Sequence, residues 1–180
     1  MPAKPRLALT VQYADRSIAE LVTRPLLRRW VQAALMAPAE LTLRFVDIEE
    51  ARTLNRDYRG RDYATNVLTF AYDDDDEEAG DAQGSDDSGL AGSGDGVEGT
   101  DAIDDATPTR ADIVFCSAVL VEEARAQQKP LLAHAAHLVI HGVLHAQGYD
   151  HEDDADATEM ESLETNILAA LGWPDPYLAG

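Results

Sequence analysis

Four of the five histidines in this 180-residue chain fall in one stretch, HLVIHGVLHAQGYDH, residues 137–151. His141 and His145 are four apart on a strongly helical pattern, so their imidazoles project from one face, a turn apart. Gly148 is placed to end that helix, because glycine takes left-handed dihedrals at little cost. The chain can then turn and bring His151 back toward the pair. Three neutral imidazoles suit one borderline metal ion, and three protein ligands on zinc leave a fourth position open, the pattern of a catalytic centre. Two histidines at i and i+4 also arise by chance as packed residues. A third just past a helix-ending glycine favours the metal site. His134 and His137 lie seven and four residues before His141 on the same face. No third group completes a site around them, so they are expected to pack or to support the ligands.

The residue after the first ligand sharpens the chemistry. In an H-E-x-x-H peptidase a glutamate there is the general base. Here the position is Gly142. No glycine-rich phosphate loop follows a strand either, since the glycines cluster elsewhere.

The elements that must carry these residues follow from two periods. LALTVQYA (7–14) and ELTLRFVD (40–47) alternate like strands, and NVLTFAY (66–72) and ADIVFCS (111–117) are further strand candidates. TRPLLRRWVQAALM reads as an amphipathic helix with Thr23 as N-cap and Pro25 in its first turn. IEEARTLNRDYRG (48–60) predicts a second helix, stopped near Gly60. Three more helical patterns follow: AVLVEEARAQQ, LLAHAAHLVIHGVLHAQG and DATEMESLETNILAALG. In the last, Met160, Leu163, Ile167 and Leu171 predict a buried stripe. The expected fold is α/β (α+β): one domain over 1–180, about four strands packed by helices, with the three-histidine site on the C-terminal helical segment.

The net charge is −20, which argues against nucleic acid until its distribution is read. Residues 73–105 hold fourteen Asp or Glu and no Lys or Arg, whereas residues 1–72 have a balance of +3. The acidic segment is rich in Gly, Ser and Asp and nearly free of large apolar side chains, so 73–107 is expected to be a disordered loop interrupting the domain. A solvated insertion is the plainer reading of it, and an anionic flap competing with RNA the alternative. No run approaches the roughly 18 apolar residues of a membrane span. The only cysteine, Cys116, is expected to be a buried free thiol. Together with the lack of a secretory pattern, this points to the cytoplasm and no membrane partner.

HLVIHGVLHAQGYDH is similar to the signature of the YbeY family of bacterial rRNA maturation factors, metal-dependent endoribonucleases. LNRDYRGRDYATNVLTF (54–70) resembles the family's second signature, ADIVFCSAVLVEEARAQQKPLLAHAAH the segment joining the two, and EMESLETNILAALGWPDPY its C-terminal helix and tail. Ala111, where glycine is common, and the long acidic loop are the departures. The resemblance implies that His141, His145 and His151 bind one Zn2+ and that Arg59 is catalytic. It also implies a cytoplasmic enzyme of rRNA maturation and ribosome quality control. Its partners would be single-stranded RNA, rRNA and the small ribosomal subunit with its proteins, not DNA.

The residues themselves say less about Arg59. It belongs to a basic cluster with Arg56 and Arg61, and a guanidinium can hold two phosphate oxygens. Without the family, an exposed helix-end residue complementing the dipole is the better reading. Arg24, Arg28 and Arg29 could extend a basic track for RNA or form an exposed helix face. Asp150 and Asp112 are candidates for the missing base, and water or the ribose 2′-hydroxyl could attack. Two alternatives stand beside the nuclease: a ribosome-binding assembly factor with a structural zinc, and a zinc hydrolase of another substrate, which Gly142 disfavours. Three imidazoles also suit nickel, cobalt or copper.

Overall fold

Alternation of side chains dictates how the first strand packs. In β1 (Leu7–Tyr13), Leu7, Leu9, Val11 and Tyr13 turn toward the core while Ala8, Thr10 and Gln12 stay exposed. The computed structural model describes residues 3–72, 107–149 and 152–178, so the segment expected as a loop lies outside them except for Thr107. Helix α1 (Arg24–Ala34) follows, with Thr23 as N-cap, though its side chain caps nothing, and Pro25 in the first turn. β2 (Ala39–Val46) leads into α2 (Ile48–Arg59), whose N-cap Asp47 accepts from the Glu50 amide. β3 (Val67–Tyr72) and β4 (Thr109–Cys116) precede α3 (Ser117–Ala126), α4 (Leu131–Ala146) and α5 (Asp154–Ala170). No helix among the described residues is long and apolar enough to cross a membrane.

The sheet is mixed, with order β1-β2-β4-β3. β1, β2 and β4 are parallel, and β3 runs antiparallel to β4 at the edge. This is an α+β domain with four strands and five helices among the described residues, in line with the sequence reading. One sheet face, carrying Leu41, Leu43, Phe45, Ala111, Ile113 and Phe115, forms the main core with α1, α4 and α5. The Phe45 ring stacks between Tyr13 and Phe115, with centroids 5.5 and 5.1 Å away. The other face is covered by α2 through Val46, Ala51, Leu68, Val114 and Cys116. Cys116 is a buried free thiol, as expected, and burial pushes its pKa up.

Two details position the C-terminal end of α4. The Gln147 side chain accepts from the Met36 amide at 2.8 Å and donates to the Ala34 carbonyl at 2.9 Å, tying the end of α1 to the end of α4. Gly148 then turns the chain with φ +99°, as the spacing predicted.

The stripe of α5 differs from its apolar pattern. The fully buried positions are Met160, Glu164 and Leu168, at i, i+4 and i+8, while Leu163, Ile167 and Leu171 flank them half-buried. A carboxylate thus occupies the middle of the buried face. Such a group needs partners to stay ionised, and its partners lead to the histidines.

Candidate functional site

α4 carries His137, His141 and His145 along one side, and the sheet packs against another. The His141 and His145 rings lie 6.4 Å apart between centroids, their planes within 7° of parallel. This is the arrangement that the i, i+4 spacing predicts. Each ring is oriented through Nδ1. His141 Nδ1–H donates to Glu164 Oε1 at 2.5 Å, and His145 Nδ1–H donates to the Tyr149 carbonyl at 3.1 Å. Both acceptors can only accept, so each neutral ring keeps its lone pair on Nε2. That tautomer is the one a metal-binding imidazole uses, with the opposite nitrogen held by a carboxylate or carbonyl. The donor set therefore fits a borderline divalent metal. His151, the third expected ligand, lies outside the described residues, as does Asp150. Among the described residues no group of three or more His, Cys, Asp or Glu side chains is placed to hold a metal ion.

Glu164 is fully buried and serves several donors. Its Oε2 accepts from His137 Nε2 at 3.2 Å and from the Tyr177 hydroxyl. Burial pushes its carboxyl upward, but hydrogen bonds from His137, His141 and Tyr177 outweigh that and bring it down to about 2. For Tyr177, burial and the same carboxylate push the hydroxyl well above its ordinary value. Glu164 is thus the hub that sets the His141 ring. Sequence reasoning missed it because it is polar, yet its i+4 spacing from Met160 and to Leu168 was the available signal. The supporting role expected of His137 and His134 matches their bonds. His134, buried, reaches Glu123 Oε2 at 2.8 Å, and Glu123 in turn accepts from Asn66 just before β3.

Gly142 answers the question posed by the missing glutamate. A Cβ there would sit 3.0 Å from Ile113 Cγ2 and 3.6 Å from Val67 Cγ2. Position 142 faces the sheet, so a carboxylate on it would be driven under β3 and β4. We expect Gly142→Glu to destabilise the fold by roughly 3 kcal/mol or more, from overpacking plus a buried unpaired carboxylate. Urea denaturation checks this, and a stable variant would mean the helix can lift from the sheet. Asp112 is engaged away from the histidine helix. It points to the opposite sheet face from its neighbours Ala111 and Ile113, and it accepts from the Tyr72 hydroxyl at 2.5 Å.

Arg59 is the last residue of α2, exposed, with Gly60 at φ +67° ending the helix behind it. The segment that follows is pinned from within α2. Buried Asn55 donates to the Tyr63 carbonyl at 2.8 Å, and Arg52 grips Asp62 with two bonds of 2.7 and 2.9 Å. Arg56 and Arg61 have partners in Asp57 and Tyr63, whereas Arg59 has none among the described residues. That segment leads into β3, whose Val67 lines the contact with Gly142 of the histidine helix.

The sequence profile described as Endoribonuclease YbeY matches residues 9–172. The chain belongs to the YbeY family. A protein named Endoribonuclease YbeY from Herminiimonas arsenicoxydans is 57% identical over 96% of both chains. Another of that name from Janthinobacterium sp. (strain Marseille) is 51% identical over 99% of both. The solution structure of TM1509 from Thermotoga maritima, at 20% identity, has the same fold with a TM-score of 0.50, covering 94% of this chain and 99% of that one. Membership in the YbeY family accords with the two signatures read in the sequence.

Proposed function

We propose that this chain is a metal-dependent endoribonuclease that cleaves single-stranded RNA, acting in the cytoplasm in rRNA maturation and on the small ribosomal subunit. The observation that carries it is the pair of parallel imidazoles, each held through Nδ1, which would make Nε2 the ligating nitrogen. Relatives of 51–57% identity carry the endoribonuclease name. His141, His145 and His151 would hold one Zn2+. When bound, that ion supplies Lewis-acid chemistry toward a phosphate oxygen.

The chain's own groups do the rest. Arg59 offers the planar fork of its guanidinium to two oxygens of the scissile phosphate and stabilises charge as it grows there. Glu164 and the Tyr149 carbonyl keep the two imidazoles in one tautomer and orientation, so no reorganisation is needed as the phosphate arrives. Gly142 leaves no carboxylate at the place a peptidase uses for its base.

The test uses a labelled single-stranded RNA and casein, incubated with purified protein before and after chelation. RNA should be cut, cleavage should drop to background on chelation and return with Zn2+, and casein should stay whole. Casein digestion, or RNA cleavage indifferent to chelator, would remove the reading.

A further inference from the structure

A chain of net charge −20 that acts on RNA must place the phosphate backbone somewhere, and arginine and lysine are the side chains that hold it. The cations differ in their partners, and Arg59, Arg61 and Arg125, like those on α1, form no ion pair among the described residues. Arg44, Arg52, Arg56 and Arg110 are each paired with a carboxylate. Along α1 and around β1 the pattern changes. The exposed side chains of Lys4, Arg16, Arg28 and Arg29 form no ion pair among the described residues.

α1 itself contains three arginines and no acidic residue. Its buried side is Leu27, Trp30, Val31 and Ala34, which leaves Arg24, Arg28 and Arg29 exposed. Arg24 is the first residue of the helix, where a cation works against the dipole. It is held there by stacking over Tyr13 at 5.0 Å and by donating to the Val11 carbonyl at 3.3 Å. A groove of about 480 Å3 beside it is lined by Lys4, Arg28, Arg29 and Gln32 with no carboxylate. A second, of about 650 Å3, holds Arg16 and Arg24 with one carboxylate, Glu20.

The surface also has a fixed relation to the candidate site. Gln147 ties Ala34, at the far end of α1, to the end of α4 that bears His145. Along the axis, Arg28 stands about 9 Å and Arg24 about 15 Å from Ala34, at 1.5 Å per residue.

We propose that Lys4, Arg24, Arg28 and Arg29 form a docking track for the phosphodiester backbone of single-stranded RNA, outside the cleavage site. The track rests on the endoribonuclease reading for the identity of its ligand, and charge complementarity selects the occupant. A strand lying along it makes sequence-independent phosphate contacts.

The test is a fluorescence-anisotropy titration of a labelled single-stranded RNA at several salt concentrations, with cleavage of the same RNA followed in parallel. For the double variant Arg28→Ala, Arg29→Ala, the slope of log affinity against log salt should become shallower by about 1.4, two charges at about 0.7 each. The double lysine variant should restore the slope, which shows that charge and not local structure is read. Arg125→Ala, an exposed arginine of α3, should keep the wild-type slope and cleavage rate. An unchanged slope in the double alanine variant, or an equal loss in Arg125→Ala, overturns the track. Wild type that cuts RNA while the double variant keeps its slope defeats the track alone. Wild type that shows the slope difference yet cuts nothing defeats the nuclease reading and leaves the track.

Discussion

Arg59→Ala is expected to slow RNA cleavage by about 10²–10³-fold, the scale of removing one preorganised donor from a transition state. The fold should hardly notice. Arg59 is exposed and makes no hydrogen bond or ion pair among the described residues. The unfolding free energy should therefore change by no more than about 0.5 kcal/mol, apart from a small loss of favourable charge at the helix end. The loss should appear in kcat more than in KM, because charge on the phosphate is greatest in the transition state. Arg59→Lys keeps the charge but not the two-pronged geometry, so partial recovery is the expected result. Metal content, measured on each sample, should equal wild type, since arginine is no ligand. Equal cleavage by wild type and Arg59→Ala would mean that the activity does not use this residue. The ribosome-binding assembly factor would then be the better reading.

How much of this arrangement was legible before the structure depended on whether a property repeats along the chain. β1 and β2 alternate apolar and polar residues, and α2 and α4 lead to the turns at Gly60 and Gly148, so their placement could be read from single-residue chemistry. The pairing of His141 with His145 follows from helix geometry alone. Two things could not be read that way. Glu164 has a buried place because three donors from α4 and the C-terminal tail meet it, and those partners are 13 to 27 residues away. A pattern that counts apolar side chains passes over such a position. The role of Gly142 was hidden for a similar reason. Its missing side chain looked like a missing base, but it is contact with Ile113 and Val67 that accounts for it. In both cases the deciding contact joins elements distant in sequence.

Glu164→Gln should weaken metal retention by about 10–100-fold, the usual cost of disturbing a partner that orients a ligating histidine. The carboxylate accepts from His141 on one oxygen and from His137 and Tyr177 on the other. An amide has one oxygen and one NH2 group, so one side must set a donor against a donor. If the amide NH2 faces His141, that ring either loses the bond that orients it or changes tautomer and moves its lone pair from Nε2 to Nδ1. If it faces the other side, His137 and Tyr177 lose their acceptor and the pocket loosens around α5. Either way the metal-free protein should lose about 1.5–3 kcal/mol, the range for a hydrogen bond to a charged group. Tyr177→Phe separates the two effects, since it removes a donor to Glu164 without touching His141. It should cost stability while metal affinity, measured by competition with a chromogenic chelator, stays within a few-fold of wild type. A Glu164→Leu protein, which offers His141 no acceptor, with lowered stability and unchanged affinity would make this carboxylate a packing element only. The orientation of His141 would then have to come from elsewhere in α4.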